Sequence, residues 1–283
     1  LVTGVQTCAL PIYRHPSPGD VRAEILTGLA QPQKRINPKF FYDERGSELF
    51  AEITRLPEYY PTRTEVGILK THSDDISNHC GEGCILIEPG SGNSEKVRLL
   101  LEDLRPAAYV PMDISAEYLQ QAALQLGEEY PWLQVSALCA DFFDDQPVTA
   151  GLPAGKRVVF YPGSTIGNLE PAAAAQFLRS VARWVAEDGG VLIGVDLHKS
   201  TARLEAAYND SRGTTADFNL NMLTRLNALL DAEFELQNFE HQAFYDARLQ
   251  RIEMHLVSRG AQQVRCNGAT VSFRAGETIH TEN

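Results

Sequence analysis

The sequence predicts an α/β fold: a parallel sheet with helices on both faces, joined to a second region of helices and antiparallel strands. Three observations predict it. First, Ile85 to Ile87 is a short apolar run that ends in Glu88 and Pro89. It turns at Gly90-Ser91-Gly92 and enters the helical pattern Val97, Leu99, Leu100, Leu101, Leu104. Strand, glycine turn and helix form the opening unit of a nucleotide-binding sheet. Second, strand-like and helix-like stretches alternate from there to about residue 230, the pattern of right-handed βαβ units. Third, the pattern after residue 232 is strand-like throughout, which marks antiparallel strands of a different architecture.

Taken in order, Asp20 is an N-cap for an amphipathic helix carrying Val21, Ile25, Leu26 and Leu29. Pro32 to Pro38 reads as a loop. Phe40 to Ser47 leads into a helix with Leu49, Phe50, Ile53 and Leu56 on one face. Leu56 to Pro61 is a proline-bounded aromatic turn, and Thr62 can cap a helix over about 65–78. Sheet strands are expected at 84–88, 108–113, 133–138, 157–161 and 190–195, with helices at 94–104, 115–126, 171–187, about 201–208 and 214–230. Phe234 to Tyr245, Arg251 to Arg259 and Thr270 to Phe273 read as antiparallel strands, with a hairpin turn near Asp246 to Leu249. No internal repeat or low-complexity tract is visible.

With 283 residues, 43% hydrophobic and 22% charged, the chain can bury one large core or two smaller ones. A net charge of −12 argues against nucleic acid or an anionic membrane surface as partner. No apolar run approaches the roughly 20 residues of a bilayer span, so a soluble chain is expected. Cys8, Cys80, Cys84, Cys139 and Cys266 are scattered and odd in number, as reduced thiols in a cytoplasm would be. His79, Cys80 and Cys84 lack a second ligand pair at zinc spacing, so no metal is expected. Leu1 to Tyr13 carries no charge, and its VTGVQTCALPI resembles a translated sequencing adaptor. It is read as non-native, expected to be poorly ordered, and set aside. The chain stops at Asn283 with no closing element and reads as a C-terminally truncated piece of a longer gene. The resulting domain reading gives 14–80 to the helical part of a second lobe, 81–200 to the nucleotide-binding domain, and 201–283 to the remaining sheet elements and lobe.

In open α/β sheets a ligand binds beyond the carboxyl ends of the strands, at the switch point. Three acids fall at predicted strand ends: Glu88, Asp113 and Asp141. The run Gly-Ser-Gly-Asn-Ser-Glu lacks the third glycine of the dinucleotide fingerprint. A pyrophosphate grip is therefore disfavoured against a cofactor without phosphates, such as S-adenosylmethionine. Gly90 and Gly92 let the backbone approach it. Asp113 lies 23 positions after Gly90, near the spacing at which an acid meets ribose hydroxyls. Asp141 can accept from the adenine amino group while Phe142 packs on the base. Lys96 suits the methionine carboxylate as a point charge. Each has a plainer reading: a simple turn, a capping aspartate, a solvated helix lysine. A nicotinamide dehydrogenase is the chemical rival, disfavoured by the missing glycine and by the Asp-Phe pair.

Phe160 to Leu169 follows the fourth strand, where α/β methyltransferases face the methyl group. Its Asn168 can present a carboxamide to a substrate or simply close a capping turn. Tyr42, Tyr59, Tyr60 and Tyr208 are hydroxylated aromatics on flanking segments. Aromatics at helical spacing are more often core, but Tyr59 and Tyr60 sit in a turn, and Tyr208 stands beside Asn209 and Asp210.

From about Asp20 to Asn283 the chain resembles the histidine Nα-methyltransferases of ergothioneine biosynthesis. The stretches that carry the resemblance are FYDERGSELFAEITRLPEYYPTRTE (41–65), IEPGSGNSEKVRLLL (87–101), GSTIGNLEP (163–171) and RIEMHL (251–256). The resemblance implies a class I methyltransferase, Rossmann-like sheet with an added substrate-binding lobe of N-terminal helices and C-terminal antiparallel strands. It implies that Tyr42, Gly90, Lys96, Asp113, Asp141 and Phe142 contact S-adenosylmethionine. Tyr59, Asn168, Tyr208 and Glu282 would hold L-histidine. In the family a serine just past Glu282 also contacts the imidazole, and this chain ends one residue short of it.

Methyl transfer from a sulfonium is an in-line displacement that positioning accelerates most, and the amine must be neutral to attack. The expectation is that Asn168 and Tyr208 bind the substrate carboxylate and Tyr42 assists at the nitrogen, so Tyr42 and Asn168 are the catalytic candidates. Glu282 and Tyr59 would read the two imidazole nitrogens. Three transfers would give the trimethylammonium betaine, hercynine, made by a cytoplasmic monomer without nucleic acid or membrane partners. A tryptophan-like substrate is the alternative within the family, against which Glu282 and Met254 speak. A nucleotide-binding module without catalysis is the alternative outside it.

Overall fold

A computed structural model of the chain describes residues 12–14, 18–140 and 153–283. Asp141, Phe142 and most of the adaptor-like head lie outside the described residues. In chain order the elements are β1 (Ile12–Arg14), α1 (Pro18–Leu29), β2 (Lys34–Arg35), a 3₁₀ turn (Pro38–Phe41), α2 (Glu44–Ile53), α3 (Tyr60–Thr71), α4 (Ser73–Cys80) and β3 (Ile85–Pro89). There follow α5 (Arg98–Leu104), β4 (Ala108–Asp113), α6 (Ala116–Glu129), β5 (Gln134–Val135), β6 (Leu138–Ala140), β7 (Arg157–Tyr161), a 3₁₀ turn (Thr165–Asn168), α7 (Pro171–Val185) and β8 (Gly190–Ile193). The chain closes with α8 (Thr201–Tyr208), α9 (Thr214–Leu230), a short 3₁₀ turn (Leu236–Asn238), β9 (Phe239–Asp246), β10 (Arg251–Ser258), β11 (Gln262–Cys266), β12 (Ala269–Phe273) and β13 (Thr278–Glu282).

The chain divides into two compact units. The first comprises Arg63–Asp196 with the strand β1, and the second Pro16–Thr62 with Leu197–Asn283. In the first, a seven-stranded sheet runs β1-β6-β4-β3-β7-β8, with β5 also on β4, and every pairing is parallel. Parallel strands buried on both faces read as continuous apolar runs. Ile85 and Ile87 pack on one face with Val159 and Trp184, and Leu86 on the other with Leu100 and Tyr109. In the second unit an antiparallel core, β13-β10-β9, carries β2 in parallel on its edge, beside the hairpin β11–β12. Its ordinary alternation puts Ile252, Met254 and Leu256 into a core with Phe41, Leu49, Phe218 and Met222.

Several elements differ from the sequence expectation for identifiable reasons. The helix expected over 65–78 is two helices, because Asp74 and Asp75 place acids in the first turn of a new one. The α5 helix begins at Arg98 because Gly92 and Ser94 hold positive φ of 52° and 55°. The strand expected over 133–138 is two short pieces, one pairing Ala108–Tyr109 and the other Met112–Asp113. The N-terminal part also contributes β2, and the C-terminal part contributes β11 and β13. Ile12–Arg14, partly inside the segment set aside above, pairs with Leu138–Ala140 at the sheet edge. Among the described residues, no helix is long and apolar enough to cross a membrane. Cys80, Cys84, Cys139 and Cys266 are buried, and burial pushes the thiols of Cys84 and Cys139 up to about 12 and about 11.

One polar group sits inside this apolar sheet. Glu88, 2% exposed at the end of β3, accepts from the Tyr109 hydroxyl at 2.5 Å, and that hydroxyl lies 3.0 Å from Ser94 Oγ. Desolvation dominates the tyrosine's hydrogen bond and pushes the Glu88 carboxyl from 4.5 up to about 8. A carboxyl whose folded value is raised favours the fold fully below the unfolded value and loses that contribution as pH rises through the folded one. The ligand-free chain should therefore lose stability, on the order of a few kcal/mol, between about pH 4.5 and 8. Glu88→Gln should remove that slope while matching the parent near pH 4, as read by denaturant unfolding across the range. An unchanged slope would show that Glu88 ionises normally.

Candidate active site

In the first unit β3 lies between β4 and β7, so the connections leaving its carboxyl edge run in opposite directions. That is the switch point at which such sheets bind ligands. The turn there is tightly coiled, with Gly90 at a φ of 69°. It lets the Gly90 and Ser91 N–H groups both reach the Met112 carbonyl, at 2.8 and 3.0 Å. Gly92 N–H donates to Asp113 Oδ2 at 3.1 Å and Ser115 N–H to Oδ1 at 3.0 Å. Burial still lifts the Asp113 carboxyl above its ordinary range. A carboxylate held by two N–H donors keeps lone pairs for a diol. The Ser91 hydroxyl is buried in the same turn with no hydrogen-bond partner among the described residues. An exposed Gly90 backbone, a clamped acid and an unclaimed hydroxyl fit an adenosyl cofactor without phosphates.

Lys96 is no solvated helix lysine. Its Nζ pairs with Glu65 Oε2 at 2.6 Å, and both side chains are largely buried. The Glu65 carboxylate also accepts the Gly163 N–H, at 2.8 and 3.0 Å from its two oxygens. Sequence reasoning placed Glu65 only at the start of a helix. Its one signal was that the family-like stretch 41–65 ends on it. Asn168 closes the 3₁₀ turn after β7. This loop is pinned by Thr165 Oγ1 on the Pro162 carbonyl at 2.9 Å, Gly167 N–H on the Ser164 carbonyl at 2.8 Å, and Asp196 N–H on Ser164 Oγ at 3.0 Å.

Tyr42, Tyr59, Tyr208 and Glu282 belong to the second unit. The rings of Tyr208 and Tyr59 meet at 6.0 Å, Tyr59 and Phe50 at 6.3 Å, and Phe50 and Tyr42 at 5.8 Å. Three tyrosines singled out from separate segments thus join through Phe50. Local capping holds them. Asp43 accepts from Gly46 N–H at 2.7 Å and from the Asn221 amide at 2.9 Å, next to Tyr42. Asp210, beside Tyr208, accepts the Thr214 and Thr215 N–H groups at 3.0 and 2.7 Å.

The position of Glu282 depends on a register shift. His255 pairs with His280 but Met254 pairs with Glu282, so Thr281 is an extra residue in β13. Residues two apart on a strand normally share a face, and a bulge breaks that rule. His280 therefore lies with Glu253 and His255, while Glu282 lies on the face of Met254, which belongs to the buried core of this unit. Thr281 Oγ1 bonds Asn219 Oδ1 at 2.8 Å and the Met254 carbonyl at 3.0 Å. The fully buried Asn219 also meets His241 Nδ1 at 2.9 Å, and His241 Nε2 meets the Tyr208 carbonyl at 2.9 Å. This network ties the bulge beside Glu282 to the end of the helix that carries Tyr208. On the opposite face, ligand-type atoms of Glu253, His255 and His280 lie within 4.8 Å of one another, a set able to hold a metal ion. Here Glu253 is bound by Arg251 at 2.7 Å and by His255 at 2.8 Å, and His280 Nε2 bonds the Glu282 carbonyl at 3.0 Å. Burial lowers both histidines, His280 to about 4, so both are neutral at pH 7.

Comparison with known proteins identifies the family. The family described as histidine-specific methyltransferase, SAM-dependent, matches residues 21–283. The histidine N-alpha-methyltransferase of Mycolicibacterium smegmatis is 44% identical over 269 residues, covering 93% of this chain and 83% of that one. Its namesake from Mycobacterium tuberculosis is 42% identical over 268 residues with the same coverage. Ergothioneine biosynthesis protein 1 of Neurospora crassa is 32% identical over 244 residues, which are 78% of this chain and 28% of that longer protein. With a match over nearly its whole length, the chain belongs to the histidine-specific, S-adenosylmethionine-dependent methyltransferases.

Proposed function

We propose that this chain transfers three methyl groups from S-adenosylmethionine to the α-amino group of L-histidine, giving hercynine in the first step of ergothioneine biosynthesis. The observation that supports the substrate is the bulge at Thr281, which pairs Glu282 with Met254, a residue of the core that also holds Tyr59. A carboxylate acting together with a tyrosine hydroxyl would suit an imidazole. An indole would leave Tyr59 without the second ring nitrogen, and an aliphatic side chain would leave the acid unpaired, which a polar site rejects strongly.

S-adenosylmethionine, when bound, supplies a methyl group on a sulfonium. Gly90, Lys96, Asp113, Asp141 and Phe142 hold it in this reading, with Asp113 on the ribose hydroxyls and Lys96 on the methionine carboxylate; Tyr42 adds a contact. Asn168 and Tyr208 take the histidine carboxylate and so aim the amine. Tyr42 assists at the nitrogen, and Glu282 and Tyr59 take the imidazole. Aiming a neutral amine along the line of displacement is where such an enzyme gains most of its rate. Tyrosine rings also tolerate the cationic head that builds up over three transfers. The acidic chain, at −12, is inferred to act as a cytoplasmic monomer.

Mass spectrometry of a reaction with S-adenosylmethionine and an equal mixture of amino acids should show trimethylated histidine, preceded by mono- and dimethylated forms. Methylation of another amino acid instead would overturn the substrate. Glu282→Ala should raise the KM for histidine roughly tenfold or more while leaving S-adenosylmethionine affinity near the parent value; equal losses for both would remove Glu282 from the imidazole. Thr281→Val should cost about 1–3 kcal/mol of stability by stranding buried partners. It should raise the histidine KM with kcat little changed, and an unaltered KM would show that the bulge does not depend on the hydroxyl.

A further inference from the structure

The residues assigned so far account for only one of the two charges at the amino acid end of S-adenosylmethionine. Its carboxylate has Lys96, but its α-ammonium needs an acceptor. Asp113 is committed to the Gly92 and Ser115 N–H groups and to the ribose. Glu88 is bound by Tyr109 and is largely protonated at pH 7. Neither offers a free carboxylate near Lys96.

Glu65 does. Its oxygens lie 2.6 Å from Lys96 Nζ and 2.8 and 3.0 Å from the Gly163 backbone nitrogen, with 15% of the side chain and 23% of that of Lys96 still exposed. The pair is built into the carboxyl edge of the sheet. A Cβ on Gly194, just after β8, would lie 1.9 Å from Glu65 Oε1, and one on Gly163, just after β7, would lie 3.1 Å from Lys96 Nζ. Gly194 is held there by its N–H on the Tyr161 carbonyl at 3.0 Å. Both loops are bare of side chains where the ion pair needs room. A carboxylate has about four lone-pair positions, and these contacts leave part of that capacity open.

We propose that Glu65 receives the α-ammonium of the cofactor's amino acid end while Lys96 receives its carboxylate. The proposal rests on the S-adenosylmethionine reading above. A zwitterion docked on a Lys–Glu pair makes an alternating set of four charges in which each lies beside its opposites. The amino acid end itself brings no net charge to the pair, because the cofactor's remaining positive charge lies on the sulfonium. With Lys96 alone, the ammonium would lie near a lysine with only the cofactor's own carboxylate to offset the repulsion.

The test is calorimetric binding by the full chain and its Glu65→Gln variant. The probes are S-adenosylhomocysteine, the same molecule without its α-amino group, and 5′-methylthioadenosine, which has no amino acid end. Losing a charge-assisted hydrogen bond should weaken S-adenosylhomocysteine roughly tenfold or more in the variant. The other two probes should change by less than about threefold, and their binding also shows that the variant is folded. Equal weakening of all three would make Glu65 a structural counterion and overturn the proposal. Tighter S-adenosylhomocysteine binding would also overturn it, because Glu65 would then be competing with the ligand for Lys96. If the variant does not fold, the parent still decides: it must prefer S-adenosylhomocysteine over the deaminated probe by roughly tenfold. A parent that binds none of the three would overturn the cofactor reading itself and this proposal with it.

Discussion

The first unit depends on the rule that parallel neighbours cannot be joined by a tight turn. Each strand must be followed by a crossover, so the carboxyl ends of β3, β4, β7 and β8 collect on one edge of the sheet. Every feature of the cofactor side is a loop leaving that edge: the turn at Gly90, the clamp on Asp113, the pinned loop of Asn168 and the bare positions at Gly163 and Gly194. Because the strands are buried on both faces, their residues are set by packing. The variable chemistry is confined to a few backbone groups and side chains just past the last apolar residue.

The second unit uses a different device. An antiparallel strand offers side chains to alternate faces, so a position near its end is fixed by parity unless a residue is inserted. Thr281 is that insertion, held by Asn219 and the Met254 carbonyl. The cost of burying so polar a network is small when every member is satisfied. Asn219 uses its carbonyl for Thr281 and its amide for His241 and the His255 carbonyl. The arrangement also fixes the His241 tautomer, since Nδ1 must accept from an amide while Nε2 donates to a carbonyl.

Much of this was legible in the sequence. Strands 108–113 and 157–161 and helices 201–208 and 214–230 were bounded as the structure has them, because apolar periods there end at clear breakers or caps. The glycine turn and Asp113 were legible because strand, turn and acid are local in the chain. What was illegible was non-local or broke a period. Glu65 meets Lys96 and Gly163 across 31 and 98 positions, and no local pattern announces it. Parity would have put Glu282 on the face of His280, and only the paired strand reveals the bulge. The split between Thr71 and Ser73 has no glycine or proline to mark it.

The buried thiols bear on a hazard particular to this chemistry. A sulfonium methyl group is attacked by the most nucleophilic electron pair within reach, and a thiolate outcompetes an amine. Cys139 stands opposite Asp113 in the strand register, on the neighbouring strand. Apolar surroundings and the neighbouring carboxylate hold its proton up to about 11, so at neutral pH the sulfur is a thiol and a poor nucleophile. The same packing that builds the sheet thereby keeps this sulfur in its less nucleophilic form.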